Sequence, residues 1–60
     1  MKYEDAYSIL EQGGQISGRF SEGEYVTMTE GIMTLHSPEG DIVGWTPSNA
    51  DRISSDWSTS

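Results

Sequence analysis

The apolar positions of this chain first recur at helical spacing and then alternate. Tyr3, Ala6, Tyr7 and Leu10 follow the i, i+3, i+4, i+7 rule, with Ile9 beside them, which predicts one apolar helical stripe from Tyr3 to Gln12. Glu4 and Asp5 fall in the first turn, where the positive end of a helix dipole favours them. Gly13-Gly14 then supplies the left-handed residue that commonly ends a helix. Three turns at most are unstable alone, so the stripe needs a surface to dock on.

That surface is predicted to be a sheet. In "QISGRF", Ile16, Gly18 and Phe20 share one side of a strand, and Ser17 and Arg19 the other. "SEGE" is a turn in which Gly23 is free to take a positive φ, and "YVTMT" follows as a second strand. "EGIMTLHS", bounded by Gly31, is a third strand; "PEGD" turns the chain and "DIVGW" returns as a fourth. Beyond Trp45, Thr46 reads as a helix N-cap and Pro47 as the first helical residue, with Asn49 a weak relative of a capping-box Glu or Gln. Ala50 and Ile53 are expected to face inward, Ser54 and Ser55 to end the helix, and "DWSTS" to form a last short strand or tail. The expected fold is α+β over residues 1–60 as a single small domain. It comprises an N-terminal helix on an antiparallel meander of about four strands, a short C-terminal helix and a final short strand.

Composition changes this picture in one respect. A chain of 60 residues, 33% hydrophobic and without cysteine, buries only about 60% of the surface its unfolded form exposes. Neither a disulfide nor a zinc pattern can reinforce it, and the single histidine, His36, builds no metal site alone. Self-association, with pockets between subunits, is therefore expected, and no cofactor. With Lys2, Arg19 and Arg52 against ten carboxylates and a net charge of −7, duplex nucleic acid and anionic membranes are poor partners. No apolar run approaches the roughly 20 residues of a membrane span, nor is there a signal-peptide core, so a cytoplasmic protein is expected.

Candidate chemistry concentrates in "GWTPSNADRISSDW", which holds both tryptophans. A ring system stacks on Trp, Tyr or Phe, ribose hydroxyls and base edges are read by Asp, Asn and Ser, and phosphate is met by backbone amides or arginine. Trp45, Thr46, Pro47, Ser48, Asn49, Asp51 and Trp57 therefore form a candidate ligand-binding set, joined by Arg19 and Phe20 from the first hairpin and by Tyr25. The plain alternative is that Trp45 and Trp57 fill a small core. His36 reads as a half-exposed structural residue of a strand face shared with Ile32 and Thr34. No nucleophile–base pair or metal cluster declares itself, so no enzyme is expected.

The segments "YEDAYSILEQGGQI" and "DIVGWTPSNADRISSDW" resemble the small phage domain family whose founding function is Thoeris anti-defence, the nucleotide-sequestering sponge proteins. Trp45, Thr46, Pro47, Ser48, Ala50, Asp51, Asp56 and Trp57 match that family's Trp-Thr-Pro-Ser-Gln-Ala-Asp ending with its acidic-Trp close, and Asn49 replaces the glutamine. The chain departs in its first hairpin, where "RFSEGE" puts Phe20 in place of a tryptophan and Glu22 or Glu24 where a lysine is usual. It also lacks a longer insertion between the middle strands. The resemblance implies a homo-oligomer, a homotetramer or homodimer, that captures, without cleaving it, a cyclic ADP-ribose-type or cyclic oligonucleotide immune messenger. The rival expectation is an acidic inhibitor docking on a basic host defence or DNA-binding protein. A weaker one is a residual enzyme of ADP-ribose-like linkages using Asp51 or Asp56.

Overall fold

The computed structural model describes residues 1–18 and 23–59, in the order α1 (Tyr3–Glu11), β1 (Ile16–Ser17), β2 (Tyr25–Thr29), β3 (Ile32–Ser37), β4 (Gly40–Val43), α2 (Asn49–Ile53) and β5 (Ser58–Thr59). The fold is α+β, with one antiparallel five-stranded sheet ordered β4-β3-β2-β1-β5. Gly13, at φ 87, carries the chain out of α1 as the sequence predicts. The β2–β3 loop is the two-residue turn Glu30-Gly31. Both residues have positive φ, 54 and 79, the backbone that matches the strand twist in a tight hairpin. Glu30 is thus a turn residue instead of the first residue of β3.

Register fixes the two faces of the sheet. Ile16 pairs with Val26 and Val26 with Leu35, so these three side chains share one face, and all are buried. The α1 stripe docks there through Ala6 and Leu10, with Tyr3, Tyr7, Ile9, Met28 and Met33 packed around them. Burying an aliphatic side chain fully is worth roughly 1.5–3 kcal/mol, so a core of six buried hydrophobic residues among those described is a small one. The opposite face carries Tyr25, Thr27 and Thr29 from β2, Ile32, Thr34 and His36 from β3, and Asp41 and Val43 from β4. Both helices lie on the Val26 side, and no described element packs on the other.

The chain from Gly44 to Trp57 has a specific task in this topology. β4 is one edge strand and β5 pairs beyond β1 at the other, so the segment must cross the whole sheet. It crosses on the core side, with Pro47 buried, Trp57 in the core and α2 packed against α1. One tryptophan stands at each end of that crossing.

Four expectations are corrected here. Trp45 lies past the end of β4: the amides of Gly44 and Trp45 both donate to the Met33 carbonyl, at 2.8 and 3.1 Å, and the ladder stops. The N-cap of α2 is Ser48, two residues after Thr46. A full capping box forms: Asp51 N–H donates to Ser48 Oγ at 3.3 Å, and Ser48 N–H donates to Asp51 Oδ2 at 3.0 Å. Pro47 precedes the cap and Asn49 is the first helical residue. Ala50 and Ile53 do not face inward; α2 buries no residue, and Ile53 is 85% exposed.

Candidate functional site

Trp57 is only 2% exposed. Its indole N–H donates to the Asp51 carbonyl at 2.8 Å, its ring tilts against Tyr3 with centroids 5.5 Å apart, and a Cβ built on Gly18 would lie 2.9 Å from ring carbons. This close approach explains the glycine at position 18: the indole takes the space a side chain would fill. Trp57 is therefore enclosed in the core, the place the plain alternative gives it. Trp45 is half-buried, packed on the rim of the core and tied through its amide to Met33.

The other candidates divide by location. Thr46, Ser48 and Asn49 are exposed on the crossing segment beside Trp45, and Pro47 is buried between them. Asp51 Oδ2 is engaged by the Ser48 amide and hydroxyl, both at 3.0 Å, so this carboxylate secures the helix start. Tyr25 is on the opposite face of the sheet from Trp57, stacked on His36 at 4.7 Å with an interplanar angle of 17°. Arg19 and Phe20 lie outside the described residues. Among the described residues, a single copy does not gather the candidate side chains into one pocket.

Two groupings were not foreseen. On the open face, Asp41 Oδ1 lies 3.1 Å from His36 Nδ1, and His36 Nε2 lies 2.7 Å from Thr27 Oγ1. A carboxylate only accepts, so Nδ1 carries the proton, and with the ring neutral Nε2 accepts from the Thr27 hydroxyl. The connectivity is that of a nucleophile, a base and its orienting acid. It sits on a strand surface where β3 amides are committed to ladders on both sides. What it does visibly is tie three strands together across their open face. The signal was present: a two-residue loop at Pro38-Glu39 sets His36 opposite Asp41.

The second grouping is a cleft of about 370 Å³ between the start of α1 and the end of α2, lined by Lys2, Tyr3 and Glu4 on one wall and Arg52 to Ser55 on the other. Burial raises the Tyr3 phenol above its ordinary 10.0; the Arg52 guanidinium pulls it down and Tyr7 adds a smaller upward push. The Tyr3 hydroxyl reaches Met33 Sδ at 3.9 Å. Among the described residues no group of three or more His, Cys, Asp or Glu could hold a metal ion, and no helix is long and apolar enough to cross a membrane.

Comparison with protein-family models, with curated proteins and with solved structures finds no match. Function must be argued from the geometry and from the resemblance of the two sequence segments.

Proposed function

We propose that this chain is a self-associating binding protein of the bacterial cytoplasm that sequesters a nucleotide-derived messenger without cleaving it. The observation that carries this reading is the half-buried Trp45. Its amide is fixed on Met33 and it is flanked by the exposed Thr46, Ser48 and Asn49. An indole held on a rigid rim, with hydroxyl and amide groups beside it, has the composition that stacks a base and reads its edge. The resemblance of the Trp45–Trp57 segment to the sponge proteins supplies the ligand class. The fixed rim supplies the rigidity that lowers the entropic cost of capture.

Self-association is supported by the uncovered sheet face. That face offers Tyr25, Thr27, Ile32, Thr34 and Val43, with Val43 74% and Ile32 50% exposed. Although the chain carries a net charge of −7, the carboxylate that the described strands place on this face is that of Asp41, already held by His36. Charge depletion with an aromatic side chain is the composition of an interface centre, and a second copy presents the same charge-poor surface. The rival reading, an acidic inhibitor of a basic protein, would use the carboxylate-bearing surfaces instead.

Calorimetry against cyclic oligonucleotides and cyclic ADP-ribose isomers tests the proposal, with Trp45→Ala as control. The expected outcome is micromolar or tighter binding of one nucleotide, lost in the variant, with intact ligand recovered after heat denaturation. At ~0.15 M salt the acidic field is screened beyond about 8 Å, so affinity should hold or improve as ionic strength rises. No binding by any nucleotide, together with salt-weakened capture of a basic protein, would establish the rival.

A further inference from the structure

We propose that the cleft between the start of α1 and the end of α2 binds the phosphate group of a small anion, held between Lys2 and Arg52. Its volume of about 370 Å³ falls at the lower end of the roughly 300–1,000 Å³ of small-molecule sites. Two of the chain's three basic side chains line it, on opposite walls. Neither forms an ion pair among the described residues, although carboxylates outnumber basic groups more than threefold.

The two cations differ in how local structure accounts for them. Arg52 is in the last turn of α2, where the negative end of the helix dipole favours it. Lys2 has no such reason. It is the N-cap of α1, makes no side-chain capping bond, and puts a positive charge at the positive end of the dipole. A cation placed against its local preference and facing a cleft with a second unpaired cation is the pattern expected where local rules yield to a site. Arg52 also reaches the interior of the cleft electrostatically, since its charge is felt at the Tyr3 phenol.

Phosphate suits the pair better than carboxylate. Arg offers a planar fork for two of its oxygens and Lys a mobile point charge for a third. Ser54 and Ser55 line the same wall, where the Ser54 hydroxyl accepts from the Asp56 amide at 3.1 Å and keeps its own proton to donate. Glu4 lines the cleft as well and repels bulky polyanions, restricting entry to a compact phosphate or diphosphate that can stay on the Lys2 and Arg52 side. The inference stands apart from the nucleotide reading, because it concerns an anion with no base to stack.

The test is a titration of isotope-labelled protein with inorganic pyrophosphate at constant ionic strength, followed by amide chemical shifts. Saturable shifts at Tyr3, Glu4, Ser54 and Ser55 are expected, unchanged in Thr27→Val. They should weaken about ten-fold in Arg52→Gln and in Lys2→Gln, the loss of one charge-assisted contact. Both positions are exposed, so a superposable spectrum before titration verifies each variant's fold. Linear shifts without saturation, or equal affinity in both variants and the parent, would overturn the site. Pyrophosphate binding with no nucleotide binding would retain this inference while refuting the proposed messenger.

Discussion

Trp57 lies against Tyr3 and the backbone of Gly18 with its N–H given to a carbonyl, whereas Trp45, at the other end of the same crossing segment, keeps part of its ring in solvent. Topology separates the two. β5 must pair with β1, so the chain has to leave one sheet edge and return at the other, and it needs an anchor at each landing. At the β1 edge α1 is close and the indole is enclosed. At the β4 edge no helix stands over the strand: Ile42 is 56% exposed and Trp45 covers only part of the gap. The same side chain closes the fold at one end and leaves a rim at the other.

Removing each ring should expose this difference most strongly. Trp57→Ala is expected to cost about 3–5 kcal/mol, the range for deleting a buried aromatic. A domain of this size has about that much stability in total, so the variant should be unfolded by far-UV circular dichroism. Trp45→Ala removes a ring already partly solvated and should cost about 1–2 kcal/mol in urea unfolding, leaving a folded chain. Equal losses would mean that Trp45 is as much a core residue as Trp57, and the ligand-binding rim would go with that result.

Gly18→Ala tests the enclosed end from the opposite side. Its Cβ would meet Trp57 ring carbons at 2.9 Å, with the ring pinned by its bond to Asp51 and by Tyr3. Overpacking of this kind typically costs about 1–3 kcal/mol. The indole should also move outward, seen as a red-shifted Trp57 emission in a Trp45→Phe background. An unshifted, fully stable variant would show that the ring has room to retreat.

The comparison also shows where the sequence was readable. The α1 stripe and β2 follow from uninterrupted periodicity bounded by glycine, and β2 occupies the predicted "YVTMT" segment. The start of α2 is ambiguous in the sequence because two signals overlap. Thr46-Pro47 and Ser48-x-x-Asp51 both announce a helix, and the second prevails because Asp51 reaches back to the Ser48 amide while Pro47 is drawn into the interior. Helical period points Ala50 and Ile53 inward, but five residues hold no stripe, and the interior there is filled by Pro47 and Trp57. The cleft was illegible for another reason. Lys2 and Arg52 are isolated cations in the sequence, and only the crossing to β5 brings α2 back against the start of α1.

The smallest expected effect concerns the sheet's two faces. Thr27→Val keeps the β-branched shape that suits a strand and removes the hydroxyl bonded to His36 at 2.7 Å. On an open, part-solvated face the ring nitrogen can turn to water, so the loss should be about 0.5–1.5 kcal/mol by chemical denaturation. If a second copy covers that face, the freed nitrogen loses its access to water and the penalty rises toward the cost of a buried unsatisfied group, about 1–3 kcal/mol. Urea unfolding of Thr27→Val at micromolar and at near-millimolar chain concentration separates the cases. A penalty that grows with concentration marks the Tyr25–His36 face as the surface where copies meet. A constant penalty leaves that face solvated and shifts self-association to the rim beside Trp45.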